Sequence, residues 1–293
     1  MKWEGNRESE NVEDRRGYGG GGGGGFGFGG RSVGLGTIAV AVVASYFLGL
    51  NPMTVISMLT GGSSGMAPVQ QIPAQAPPAS DQMAKFVSTV LADTEDTWTE
   101  IFRAQGGTYA KPRLVLFSGS TPTACGTGQS ASGPFYCPGD QKIYIDLSFY
   151  RLMQQRFHVS GEFAQAYVIA HEVGHHVQHL MGISDKVDSA RQRMSEAQSN
   201  ALSVRLELQA DCFAGVWAHH ADRARNILES GDVETALNAA SAIGDDALQR
   251  QAQGHVVPDS FTHGTSAQRV RWFQRGIENG KLNACNTFET KQL

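Results

Sequence analysis

From Ser32 to Ser80 the chain carries no charged side chain, and within that span Val33–Leu50 reads VGLGTIAVAVVASYFLGL, extendable past Pro52 to Leu59. A helix of about 18–25 such residues spans about 27–37 Å, the thickness of a bilayer core. A buried core helix of this length would normally carry a polar face. A cleaved signal peptide would need its charged start close to the apolar run, whereas the Arg15-Arg16 pair lies far upstream. The expectation is therefore one transmembrane helix over 33–55, in contact with the lipid bilayer. It follows a Gly-rich flexible tail over 1–32 and precedes a Pro/Ala/Gln/Ser spacer over 56–80 and a folded domain over 81–293. Glycine supports the tail: 13 of the 35 glycines fall between Gly17 and Gly36. Lys2, Arg7, Arg15, Arg16 and Arg31 precede the apolar run, and the next basic residue is Lys85. The positive-inside rule then puts the N-terminus in the cytoplasm and the folded domain on the exported side, periplasmic or extracellular.

Twenty-four basic against 28 acidic side chains give a net charge of −4 with no strong basic run. A nucleic-acid binder needs a concentrated positive surface to meet phosphates, so that class is set aside. The four cysteines form no CxxC pair, and their gaps do not suit a zinc finger or ribbon. Cys125 and Cys137 flank a Gly/Ser/Pro-rich loop, a natural short-range disulfide, which leaves Cys212 and Cys285 as the second pair. Three pairings are open to four cysteines, so this is a preference among them. Disulfides would agree with export, and four free thiols would agree with a cytoplasmic chain.

Beyond residue 80 the apolar residues Met83, Phe86, Val87, Val90, Leu91, Trp98, Ile101 and Phe102 recur at three and four residues, predicting a helix capped by Ser80 and stopped at Gly106-Gly107. Arg113–Phe117 and Lys142–Leu147 read as strands, with a short one at Phe135–Cys137. Helices are expected over Glu162–Met181, over about Lys186 to Asp222 with one break, around Val233–Ile243, and over Ala267–Ile277 with Ser266 as cap. Few strands and a helical second half predict an α+β fold, mostly helical with a small antiparallel or mixed sheet.

The most specific chemistry lies in AYVIAHEVGHHVQHL. His171 and His175 are four residues apart, so both imidazoles stack on one helical face and can reach one metal. Glu172 is displaced by about 100° around the axis and can reach a water at the metal without ligating. His176 projects away from that face, and His179 lies about 12 Å along the axis from His171, too far for the same ion. Gln178 and Met181 stand where a metzincin needs Gly and His, which removes that class.

Two histidines need a third protein ligand to leave one position open. Glu207, in LSVRLELQADCFAGVW, sits on a strongly apolar helix where a bare carboxylate is costly without a cation. Asp211 is four residues on and suits the acceptor of a ligand histidine's other ring N–H. If Glu207 instead pairs with Arg205 or a neighbouring helix, Glu196, Asp188 or Glu162 are the substitute ligands.

HExxH followed by ExxxD on a second helix resembles the zincins whose third ligand is a glutamate. The order of parts is more closely similar to the bacterial membrane-anchored "putative neutral zinc metallopeptidase" family: a Gly-rich start, one transmembrane helix, HEVGHHVQ, RLELQADCFAG and a late THGTSAQRVRWF. The resemblance covers nearly the whole chain. It implies a zincin-like metalloprotease domain with Zn2+ held by His171, His175 and Glu207, Glu172 as the base, Asp211 supporting a histidine, and a peptide or protein substrate. A late His-Pro segment with an Arg six residues on, in a neighbouring family of membrane zincins, looks similar to His263 and Arg269, although Gly264 replaces the proline. His263 is thus a candidate donor to the oxyanion, with Tyr144 or Tyr136 as alternatives. The bland reading makes His263 a cap or surface residue and Arg269, Arg271 and Arg275 a solvated face.

The chemistry expected is peptide hydrolysis, endopeptidase in kind, with the strand Lys142–Leu147 holding an extended substrate by edge pairing. The rival reading is a non-catalytic, zinc-stabilised scaffold or adaptor at the membrane. A smaller third is hydrolysis of a non-peptide amide. Oligomeric state and cleavage preference have no signature in the sequence.

Overall fold

The computed structural model describes residues 1–17, 75–130 and 133–293. The residues expected to span the membrane, 33–55, lie outside them, as do residues 18–32 of the tail and most of the spacer. Among the described residues no helix is long and apolar enough to cross a membrane.

The strands are β1 (Val12–Asp14), β2 (Arg113–Phe117), a β3–β4 hairpin (Ser120–Thr123 and Gly126–Gln129), β5 (Phe135–Cys137) and β6 (Lys142–Asp146). The main sheet runs β1-β2-β6-β5, with β1, β2 and β6 parallel and β5 antiparallel to β6. The pleat sorts β2 and β6 by face. Leu114, Leu116, Ile143 and Ile145 enter the main core, whereas Val115, Phe117 and Tyr144 join Cys137 in a smaller cluster on the other side. The expected substrate-binding strand is thereby corrected: β6 is paired on both sides, and its neighbour β5 is an edge strand. Two short alternating runs cannot by themselves say which strand is central.

The helices are α1 (Gln82–Ala104), α2 (Ser148–Phe157), α3 (Glu162–Leu180), α4 (Ile183–Arg191), α5 (Glu196–Arg225), α6 (Asp232–Ala242), α7 (Asp245–Gln253) and α8 (Ser266–Asn279). The architecture is α+β, mostly helical with a small mixed sheet, as expected. Helix α3 is buried on nearly every side, with Phe163, Tyr167, Ile169, Val173 and Val177 fully enclosed. The expected helix from Lys186 to Asp222 is two helices. Ser195 ends the break between them, its hydroxyl accepting from the Gln198 N–H while the Gln198 side chain accepts from the Ser195 N–H. Caps shift in the same way elsewhere: Asp81, not Ser80, caps α1, and Thr265, not Ser266, caps α8. Helices α2 and α7, polar on most of their surface, were not expected.

Two close approaches set how the helices cross. A Cβ on Gly174 would stand 3.0 Å from the Ala210 carbonyl oxygen and 3.1 Å from its Cα, so α3 and α5 meet backbone to backbone there. Gly215 and Gly276 do the same for α5 against α8, where a Cβ on Gly276 would collide with the Cys212 carbonyl. Cys212 is bonded to Cys285 and Cys125 to Cys137, the preferred pairing.

The flexible tail needs correction over its described part. Residues 1–17 belong to the same compact unit as 75–293. They supply β1 to the sheet edge, and Trp3 stands edge-on against Phe86 at 5.4 Å. Low hydrophobicity concealed this because the segment docks chiefly through ion pairs.

Candidate metal centre

Helices α3 and α5 cross at Gly174, and this brings the side chains one turn before and one beside it against Glu207. One donor atom each from His171, His175 and Glu207 lies within 4.8 Å of the others, and among the described residues no further His, Cys, Asp or Glu joins this group. His171 Nε2 is 3.2 Å from Glu207 Oε2, and His175 Nε2 is 3.4 Å from Oε1. The other ring nitrogens are engaged elsewhere. His171 Nδ1 meets Asp211 Oδ1 at 2.8 Å, and His175 Nδ1 meets Gln178 Oε1 at 2.9 Å. With Nδ1–H donated in both rings, the Nε2 lone pairs converge on one point opposite a carboxylate. That donor set fits a tetrahedral zinc with one position left over.

The charges suit a cation there. Burial works against an ionised Glu207, yet His175 and His171 hold its carboxyl well below the usual range. Burial alone would depress His171, but Asp211 and Glu207 overturn this and carry it up to about 10. A pocket that raises an imidazole so far is one where a divalent ion bonded at Nε2 is equally welcome.

Asp211 has no exposed side-chain surface. It accepts from the Tyr167 hydroxyl at 2.5 Å, His171 Nδ1, and Arg269 Nε and Nη2, both at 2.9 Å. Burial opposes its charge, and Arg269 with His171 overcomes this, taking it down to about 2. Arg269 is 3% exposed, which corrects its reading as part of a solvated face. Of the three arginines, Arg271 and Arg275 are exposed. The signal available in the sequence was the buried Asp211, which needs a cation that the imidazole alone does not supply.

Glu172 lines the cleft beside the histidines but makes no hydrogen bond to another described residue. Burial pushes its carboxyl up against the pull of His171 and His175, the state of a group ready to hold a proton. The cleft, about 650 Å³, is walled by Phe135 and Tyr136 of β5, Phe149 and Leu152 of α2, and Leu248 and Ala252 of α7.

His263 also lines this cleft. Its Nδ1 is 3.2 Å from Asp245 Oδ1, while Asp245 Oδ2 accepts the backbone N–H groups of Thr262, His263 and Gly264. Asp245 thus fixes both the loop and the imidazole, leaving Nε2 for the cleft. Sequence reasoning missed it, because nothing marks an acid 18 residues before its partner. Gly264 has φ +93°, a conformation closed to proline, so the loop is built differently from a His-Pro segment.

The remaining candidates are placed elsewhere. His176 is fully buried, with Nε2 on the Ala110 carbonyl at 2.6 Å and Nδ1 on the Tyr136 hydroxyl at 3.1 Å. Its Nδ1 therefore accepts, and the Tyr136 O–H is used up. Tyr144 donates to Asp140 at 2.7 Å. Neither tyrosine hydroxyl is left to serve an oxyanion. Glu162 and Glu196 are exposed at helix starts, and Asp188 lines the cleft but stands 3.8 Å from Arg191. None of these acids joins the metal group.

The chain is 53% identical to the uncharacterized protein YpfJ of Escherichia coli (strain K12), over 98% of this chain and 99% of that one. It is 38% identical to the uncharacterized protein Rv2575 of Mycobacterium tuberculosis (strain ATCC 25618 / H37Rv), over 71% and 73%. No solved structure matches. Residues 1–288 match the family described as "Putative neutral zinc metallopeptidase", and the chain belongs to that family.

Proposed function

We propose that this protein is a zinc-dependent peptidase, cutting within peptide chains bound along the cleft. The observation that carries it is a carboxyl at Glu172, free of hydrogen bonds to other described residues, beside a three-donor group with no fourth protein ligand among the described residues. A structural zinc site is normally closed by a fourth side chain and has no use for a base.

Zinc held by His171, His175 and Glu207 would polarise the scissile carbonyl and acidify a water. Glu172 then takes a proton from the attacking water as its oxygen bonds the carbonyl carbon. It returns that proton to the amine nitrogen as the C–N bond breaks. His263, oriented by Asp245 through Nδ1 and favoured by that carboxylate in its doubly protonated form, offers Nε2–H to the carbonyl oxygen as negative charge builds there. Asp211 and Arg269 keep the His171 ring in one tautomer and orientation. The edge strand β5 offers its unpaired backbone groups to an extended substrate. The apolar segment 33–55 serves as membrane attachment, and the two disulfides favour an oxidising, exported setting for the body.

The test is metal analysis and peptide cleavage by the purified full chain beside Glu172→Gln. Zinc bound by both proteins with cleavage only by the first is the expected result. Cleavage retained by the variant removes Glu172 from its role. Zinc bound by both with no cleavage of any peptide would favour a scaffold.

A further inference from the structure

We infer that residues 1–17 and the metal-bearing body lie on one side of any membrane this chain meets, so that the segment between them is not a lone crossing. The inference is independent of peptidase activity. It rests on how deeply the first residues are built into the body.

Strand β1 pairs in register with β2, Val12 opposite Leu114 and Asp14 opposite Leu116, and forms the parallel edge of the sheet. Glu13, on this strand, is 4% exposed. Its carboxylate meets Lys142 Nζ of β6 at 3.0 Å, Arg15 at 2.8 Å and Arg113 of β2 at 3.1 Å. Stripping β1 away would leave those cations without their anion and the β2 edge unpaired. Earlier in the segment, Arg7 reaches Glu95 at 3.1 Å and Asp96 at 2.7 Å on α1, and Ser9 and Asn11 both donate to Glu95.

The two ends of the intervening segment also meet. The Asp14 N–H donates to the Gln75 carbonyl at 2.7 Å, and Arg16 pairs with Asp81 at 2.6 Å. The chain departs and returns at one place on the body. A single passage through a hydrocarbon layer of about 30 Å would hold these groups apart on opposite faces. The charge bias that suggested a cytoplasmic N-terminus has another origin: Arg7, Arg15 and Arg16 are members of ion pairs in the fold.

The experiment uses the full chain in its native membranes, with a cysteine placed at exposed Glu8 or at exposed Lys291 and a membrane-impermeant maleimide applied before and after lysis. Glu8→Cys and Lys291→Cys should agree, both modified in intact spheroplasts or both only after lysis. Modification of one before lysis and of the other only after it overturns the inference. A second variant guards against a misplaced label. Arg7→Cys with Asp96→Cys, treated with a short bis-maleimide in intact cells, should leave the two fragments joined after cutting at a protease site inserted between residues 18 and 74. Separated fragments, with each thiol shown to be reactive, overturn it.

Discussion

At the residue scale the centre is a competition between burial and charge. Replacing Glu172 by Gln removes the proton carrier without touching a ligand, so zinc content should hold while kcat falls by about 10²–10⁴-fold. Arg269→Gln acts differently, because Asp211 is left buried with too little positive charge. The variant should lose about 3–5 kcal/mol of stability by chemical denaturation, and its zinc affinity should fall about 10–100-fold in competition titration. Arg269→Lys keeps the charge but not the fork, and should restore stability more than affinity. The His171 and Glu172 pattern was legible in the sequence because a single helix fixes its geometry. Asp245 was not, and Arg269 was singled out only through a resemblance, since each gains its role from a partner 18 or 58 residues away that the fold brings near.

Acid and alkali should act on the metal-free protein through the same residues. Asp211 sits at about 2, below its ordinary value, so its contribution is complete above about pH 4 and is lost as the pH falls toward 2. His171 is raised to about 10, so its contribution is complete below about pH 6.5 and is lost as the pH rises toward 10. Zinc at Nε2 displaces that proton and should abolish the alkaline loss. Melting temperature measured from pH 2 to 10, with zinc and with chelator, should show curves that part above neutrality. Parallel curves there would mean that the metal does not bind at His171.

At the scale of elements, Gly174 governs the site. A methyl group there meets the Ala210 backbone at 3.0–3.1 Å, and backbone cannot swing aside as a side chain would. Gly174→Ala should therefore push α5 outward, at a cost of about 1–3 kcal/mol, and weaken zinc binding by moving Glu207. A variant that loses stability while zinc affinity stays unchanged would show that the ligands do not depend on this crossing. Helices α3 and α5 were readable from sequence because their apolar periodicity is long. Strand β1 was not: Val12-Glu13-Asp14 has one apolar residue, and its pairing rests on Lys142 and Arg113 far along the chain. Helices α2 and α7 escaped for a related reason, since each buries only a narrow stripe.

At the scale of the whole molecule the two disulfides bind parts of very different separation. Cys125–Cys137 closes 12 residues, and Cys212–Cys285 closes 73 and holds the C-terminal segment against α5 one residue after Asp211. By chain entropy the longer loop is worth about 4 kcal/mol and the shorter about 3. Cys212→Ala with Cys285→Ala should thus lower stability more than Cys125→Ala with Cys137→Ala, as read by denaturant midpoint under non-reducing conditions. The same bonds report where the body resides, because the cytoplasm keeps such thiols reduced. Cells quenched with an alkylating agent before lysis should yield a chain in which none of the four cysteines is alkylated. Four alkylated cysteines would place the body in the cytoplasm, and residues 1–17 with it, since β1 ties the two to the same compartment.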